Sequence, residues 1–277
     1  MGFRINTNVA SLQAQTSLGK VNRESEASFS KLSSGQRITK SADDAAGLAI
    51  SEKMKAEIRS SQQASRNAND GISMIQVAEG GLNETSNILT RLRELAMQSA
   101  SDTVGDSERQ MTNLEYQNLK SEMDRISQVT EFNGKKLLNG EGEKYDFQVG
   151  SGNSDSEDRI SFDAASLNAS TGSVGIEGAD VSSKQGAQDS LAQIDSAIEK
   201  VSSQRAILGA TQNRLTSTVT NLQVYSENMS AANSRIRDVD YAEETAKQAR
   251  NQIISAAGTS VLAQANASGQ QALKLIG

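Results

Sequence analysis

AQDSLAQIDSAIEKVSSQRAILGATQNRLTSTVTNLQVYSENMSAANSRI, residues 187–236, decides the fold. Every seventh residue from its start is apolar: Ala187, Ile194, Val201, Leu208, Leu215, Leu222, Met229 and Ile236. The positions four residues after these are Leu191, Ile198, Arg205, Gln212, Val219, Ser226 and Asn233, so one stripe is complete and its companion is partly polar. A seven-residue apolar repeat sustained this far describes one long helix of roughly 75 Å, lying in a bundle or coiled coil.

The N-terminal half offers a partner. Met54, Ala68, Ile75, Leu82, Leu89 and Ala96 fall on one seven-residue series, with Ser61 as its polar member. The stretch SDTVGDSER around Gly105 reads as a break, after which Leu119, Met123 and Ile126 mark a shorter helix ending near TEFNGKKLLNG. Asn133-Gly134 and Asn139-Gly140 are turn dipeptides. Between Gly134 and Gly186, which hold 9 of the 21 glycines, Tyr145, Phe147 and Val149 alternate with polar residues, as do Ile160 and Phe162. Two half-buried strands of a small hairpin region are expected there. The terminal stretches, with Val9, Leu12, Leu18 and Leu32 at one end and an Ala-rich run from Tyr241 to Ile276 at the other, have helix propensity but little core of their own. They should order on pairing with each other or with neighbouring copies. The expected fold class is mainly α, a long antiparallel helical bundle with a small central β-hairpin region. The mirror order of helical arm, hairpin and helical arm implies a hairpin-like rod.

Composition removes whole classes of chemistry. The 277 residues include no Cys, His, Pro or Trp, and aromatics make up 3%. Without His no side chain titrates near neutrality when unperturbed, and without Cys there is no thiolate nucleophile or soft metal ligand. No enzyme, cofactor or metal site is therefore expected. The acids Asp155, Glu157 and Asp158 lack the spacing and glycine of a calcium loop and read as a solvated turn. The net charge of -6, with no basic stripe interleaved with aromatics, argues against nucleic acid as a partner. No apolar run suits a cleavable signal or a membrane span, so no membrane association is expected.

One acidic stretch needs separate treatment. In SADDAAGLAIS, residues 41–51, Ser41 and Asp44 stand in the S-x-x-D spacing of a helix cap, and Asp43 adds an acid near the positive helix end. A helix start is predicted, followed by the small surface of Ala45 to Ile50, with the acids as caps rather than catalysts.

INTNVASLQAQ (5–15), KLSSGQRITKSADDAAGLAIS (31–51), RLRELAMQSASDT (91–103), FNGKKLL (132–138) and RIRDVDYAEETA (235–246) resemble segments of the bacterial flagellins, in family order. The resemblance implies a filament subunit with no large outer domain, the middle being too short for one. It places a D0 helix and spoke at 1–40, D1 helices at 41–135, a hairpin and short variable segment at 136–185, a C-terminal D1 helix at 186–234 and a C-terminal D0 helix at 235–277. Implied partners are further copies in a helical homopolymer, an export chaperone, and the filament cap and hook-filament junction proteins. The implied location is the extracellular filament, reached unfolded through a type III apparatus. Assembly residues would be Ile5, Val9, Leu12, Ile253, Ile254, Val261 and Leu262, with Ser41, Asp43 and Asp44 at the D0–D1 joint. Arg91, Leu95 and Glu115, with Gln98 nearby, match the positions that the vertebrate Toll-like receptor for flagellin contacts in the family. A minor flagellin or a hook-filament junction protein, sharing the same helical ends, is the alternative. Many flagellins carry O-glycans, and the resemblance makes Ser and Thr between Ser151 and Ser183 candidate sites.

Overall fold

The computed structural model describes residues 7–276, with side chains as far as Ala267. In chain order the elements are α1 (Val9–Ser34), α2 (Ala45–Ala100), α3 (Asp106–Val129), β1 (Glu131–Phe132), β2 (Lys135–Lys136), β3 (Lys144–Gln148), β4 (Arg159–Asp163), α4 (Thr171–Val174), α5 (Lys184–Arg237) and α6 (Tyr241–Ile276). The class is mainly α, as expected. Two compact units are formed, a central one of residues 57–227 and a terminal one of 1–56 with 228–277. The divisions fall inside α2 and α5.

In the central unit α2 and α5 run antiparallel. Their rungs are Tyr225 OH to the Glu57 carboxylate at 2.7 Å, Ser61 Oγ to Leu222 O at 3.1 Å, Arg93 to Asp195 at 2.7 Å and Lys184 to Asp102 at 2.8 Å. The seven-residue stripes supply the core: Ala68, Ile75, Leu82, Leu89 and Ala96 of α2 are buried, as are Ala187, Ile194, Val201, Leu208 and Leu215 of α5. The companion stripe lies elsewhere than expected. Ser190, Ala197 and Thr211, three residues after the apolar series rather than four, are the buried ones, while Leu191, Ile198 and Val219 sit half-buried at the seam's edge. Alpha-helical packing with a 3-4 alternation turns the i+3 position into the interface. On α2 the same offset gives Ala64, Gly71, Ala78, Thr85, Leu92 and Ser99, mostly small, so neighbouring backbone approaches closely. A Cβ on Gly71 would stand 3.1 Å from the Phe147 ring.

The break is built by Arg109. From the first turn of α3 its guanidinium donates to Ser99 O and Ser101 O, both at 2.9 Å, and to Asp106 Oδ1 at 2.7 Å. It thereby satisfies carbonyls left free at the end of α2. Gly105 caps α3, and the Glu108 carboxylate accepts its N–H at 3.0 Å. At Asn133-Gly134, positive φ values of 52° and 77° make the two-residue turn joining β1 and β2. β3 and β4 pair antiparallel with Tyr145 opposite Phe162, as the alternation predicts. In their turn Asp158 accepts the N–H groups of Gly152 and Ser154 at 3.0 and 2.9 Å, and Arg159 pairs with Asp155.

Residues 164–183 form a strap rather than a loose loop. Leu167, Val174, Ile176 and Val181 are buried in the core. Lys120 Nζ donates to Glu177 O and Ala179 O at 2.6 and 3.1 Å, and the Asp124 carboxylate accepts from Thr171 N and Oγ1 at 2.8 and 2.9 Å. Burial lowers the Lys120 pKa, while Asp124, Asp180 and Glu177 oppose that shift.

The terminal unit pairs α1 with α6, also antiparallel. Asn8 Nδ2 donates to Ala265 O at 2.9 Å, Ser11 Oγ to Asn266 Oδ1 at 2.8 Å, and Tyr241 OH to Leu32 O at 2.7 Å. Asn8 caps α1 by accepting from Ser11 N, and Gly35 ends it at φ 69°. Asp240 caps α6, accepting from Ala242 N and Glu243 N at 2.9 and 3.2 Å. The buried residues on α1 are Ser11 and Ser28, and those of α6 among the described side chains are Glu244 and Asn251. No helix among the described residues is long and apolar enough to cross a membrane.

Candidate functional site

Among the described side chains the α1–α6 pair buries only polar ones; Leu18, Val21 and Leu32 are half-buried and several other aliphatics stay outside. Val9, Leu12, Ile253, Ile254 and Val261 are exposed, Ile253 at 70%, and Leu262 is half-buried. Ile5 lies outside the described residues. Phe29, 67% exposed, belongs with this group although the weak periodicity of the N-terminal stretch did not single it out. Between the helices runs a mostly apolar groove of about 400 Å³, lined by Ala14, Leu18, Val21, Ile254, Ala257 and Val261 among others. A Cβ on Gly258 would fall 2.9 Å from Leu18 Cδ1, so a larger residue there would displace the Leu18 side chain.

At the inner end of the same unit the connecting segments are locked together. Arg37 N donates to Arg237 O at 2.7 Å and Val239 N to Gly35 O at 3.0 Å, with Gln36 bridged to Asp238. The Arg37 side chain donates to Ile236 O at 2.6 Å, and Arg237 donates to Gln36 Oε1 at 3.1 Å while pairing with Glu52. Ser51, fully buried, donates to Asn233 Oδ1 at 2.7 Å. Sequence reasoning missed Arg37, Arg237 and Asn233, for their partners lie about two hundred residues away and no local spacing announces them.

The predicted cap needs correction. Asp44 alone is the N-cap of α2: Oδ1 accepts from Gly47 N at 2.8 Å, and its carbonyl accepts from Leu48 N at 3.0 Å. Ser41 is exposed in the preceding turn, too far upstream for its hydroxyl to reach the free N–H groups of a helix that starts at Ala45. Asp43 points backwards and closes that turn, accepting from Lys40 N at 2.9 Å and from Thr39 N and Oγ1, both at 3.0 Å. The Lys40 and Thr39 N–H groups lower its pKa. Close approach requires Gly47, where a Cβ would lie 2.9 Å from buried Ile38.

On the central unit, Arg91, Gln98 and Glu115 are exposed on adjacent turns of α2 and α3. Arg91 donates to Glu115 Oε1 from Nε and Nη2 at 3.0 and 2.9 Å, and from Nη1 to Glu94 at 2.8 Å. Those acids raise the Arg91 pKa. Leu95 does not join this surface: at 2% exposure it belongs to the core. A position of the apolar face, beneath Arg91, cannot also present its side chain outward. Exposed Met111 and Leu114 flank Glu115 instead.

Two matches decide the family. The bacterial flagellin N-terminal helical region matches residues 5–143, and the bacterial flagellin C-terminal helical region matches 191–276. The chain belongs to the flagellins. A flagellin of Halalkalibacterium halodurans is 43% identical, over 98% of this chain and 99% of its own length. One of Bacillus subtilis is 42% identical over 99% and 100%. A flagellar filament 33 kDa core protein of Treponema phagedenis is 42% identical over 98% and 99%. Among solved structures, the crystal structure of Bacillus cereus flagellin is similar with a TM-score of 0.51 and 30% identity, over 61% of this chain and 94% of that one. This flagellin has no large outer domain, for its central unit closes directly over the strap.

Proposed function

We propose that the chain is the structural subunit of a flagellar filament, a helical homopolymer outside the cell that serves as a propeller in swimming. The observation that carries this reading is the outward apolar set on α1 and α6, which a single chain leaves uncovered. Heterologous contacts that do not close generate open helical arrays, and these helices supply the apolar contact surface for such an array. The weak apolar packing of the α1–α6 pair suits a chain exported unfolded and ordered on assembly. Its role is mechanical, not enzymatic. Deleting residues 1–30 or the last 35 should leave a soluble, largely helical monomer that forms no filaments in electron micrographs. Filaments from either truncation would overturn the assignment.

In the same reading the free subunit is recognised by the Toll-like receptor for flagellin, through exposed Arg91, Gln98 and Glu115 with Leu95 supporting their turn from beneath. Replacing Arg91 and Glu115 by Ala should abolish receptor signalling by the monomer while leaving its melting temperature in place.

A further inference from the structure

The dipeptide Asn-Gly occurs twice in the central unit, at Asn133-Gly134 and Asn139-Gly140, in two unlike settings. Asn133 is exposed at the tip of the β1–β2 turn, and neither its side-chain amide nor the Gly134 N–H has a hydrogen-bond partner among the described residues. The space beside Gly134 where a Cβ would stand is open. The ladder behind the turn consists only of Glu131 opposite Lys136 and Phe132 opposite Lys135, so little resists rotation at the tip. Asn133 also lines an open cleft of about 370 Å³ with Asp70, Phe132, Lys135 and Tyr145, which admits water to its amide. Asn139, by contrast, is half-buried and held. Its Oδ1 accepts from Glu141 N and its Nδ2 donates to Glu141 Oε2, both at 3.1 Å. Its backbone bridges to Asn168, whose side chain fills the space beside Gly140. Leu137 and Leu138, just before it, are fully buried, and Leu138 O accepts from Ser127 Oγ at 2.8 Å.

We infer that Asn133 is a site of self-modification, converting to aspartate and isoaspartate in the folded chain, while Asn139 is protected from the same reaction. Asparagine is thermolabile because the next residue's amide nitrogen can attack its side chain. Here Gly134 N, losing its proton to solvent base, bonds to Asn133 Cγ; the Cγ–Nδ2 bond breaks and ammonia leaves, giving a five-membered succinimide. Water then opens the ring at Cγ, giving isoaspartate, or at the main-chain carbonyl, giving aspartate. One water enters, one ammonia departs, and nothing is oxidised or reduced. Closing the ring requires Asn133 to turn about its Cα–C bond, which the free tip allows and the bridged, hydrogen-bonded Asn139 does not. Gly134 adds no side chain to hinder the approach. The product places a carboxylate beside Lys135 and Lys136, and isoaspartate adds a methylene to a main chain whose register Phe132–Lys135 depends on a two-residue turn. Nothing in this chemistry depends on assembly into a filament.

The test ages the full-length chain in mildly alkaline buffer, folded and in concentrated urea, and follows both sites by mass spectrometry. Trypsin separates them, since residues 126–135 and 137–144 are distinct peptides with one asparagine each. In the folded chain Asn133 should convert at least about tenfold faster than Asn139, the two hydrogen bonds and the bridge being what Asn139 must first break. In urea the two rates should come together, because the dipeptides are the same. An isoaspartyl methyltransferase should label peptide 126–135 of the aged folded protein and leave 137–144 unlabelled, with the circular-dichroism melt unchanged. Glu141→Ala, which removes one restraint on the Asn139 amide, should speed conversion there severalfold and leave Asn133 as it was. Equal rates at the two sites in the folded chain, or a faster Asn139, would overturn the inference. No acceleration at Asn139 in Glu141→Ala would overturn the cause assigned to its protection.

Discussion

Leu89 of α2 and Ile253 of α6 are both aliphatic residues on long helices, yet Leu89 is fully buried and Ile253 is 70% exposed. The same contrast holds for their units. The central bundle collects a continuous apolar core of aliphatic and aromatic side chains from three long helices, two strands and the strap. The terminal pair buries serine, asparagine and a glutamate, leaves Leu18, Val21 and Leu32 half-buried and turns Val9, Leu12, Ile253, Ile254 and Val261 outward. Helical periodicity alone therefore does not say where an apolar stripe goes. The central unit buries its stripe in its own core, whereas Val9, Leu12, Ile253, Ile254 and Val261 of the terminal unit stay on its surface.

The contrast is most directly broken by truncating one residue of each kind. Leu89→Ala should destabilise the monomer by about 3 kcal/mol through lost transfer energy and a residual cavity. Ile253→Ala should change monomer stability by less than about 0.5 kcal/mol, as a surface substitution does, and weaken assembly instead. Urea titrations of the monomer and sedimentation of polymer measure the two effects. Equal losses of monomer stability would erase the distinction.

A smaller effect sharpens the picture of the core. Tyr116 is fully buried, its hydroxyl beside Ser190 but without a hydrogen-bond partner, and burial pushes its pKa up to about 12. A phenol that ionises at about 10 when unfolded and about 12 when folded binds more proton in the folded state between those values. Its contribution is thus fully present below pH 10 and is lost as pH rises towards 12, by about 2 kcal/mol. Tyr116→Phe should be neutral or slightly stabilising at pH 7, and the stability difference between the two proteins should widen above pH 10. A constant difference across that range would show that the hydroxyl is solvated.

Asp44 brings the comparison to the terminal unit, where local hydrogen bonds count for more because so little apolar surface is buried. Asp44→Ala should cost about 1 kcal/mol in thermal unfolding, and Ser41→Ala close to nothing. The reverse order would restore Ser41 as the cap. Smallest of all is the Arg91–Glu115 pair on the central surface, half exposed on both sides. A double-mutant cycle should find the weakest coupling of this series, shrinking further in high salt.

Much of this was readable beforehand because it is periodic or local. The seven-residue stripes, the break before Asp106, the Asn133-Gly134 turn and the Tyr145–Phe162 hairpin each follow from spacing within one segment. What was not readable depends on distance or on small residues. Ser190 and Thr211 look polar in a hydrophobicity pattern, yet the i+3 geometry buries them. Leu167, Val174, Ile176 and Val181 are scattered singly among glycines and serines, so no period marks the strap that Lys120, Asp124 and Lys200 hold down. Leu95 shares a helix turn with exposed Arg91, and only the angle about the axis separates surface from core. Arg37 and Arg237 find one another across the whole chain. Ser41 failed for a simpler reason, since the helix begins one residue after Asp44 and a cap works only at that position.

Arg109 has a consequence for how the chain tolerates being cut. Its guanidinium grips the end of α2 while its own backbone belongs to α3, so the two sides of the corner are fastened together independently of the peptide bonds between them. Of the intervening exposed residues, Asp102 pairs with Lys184 of α5 and Thr103 bonds locally to Ser101. A protease nick after Thr103 should leave both fragments clasped and the bundle intact, which makes this corner a natural place to open the chain for new termini.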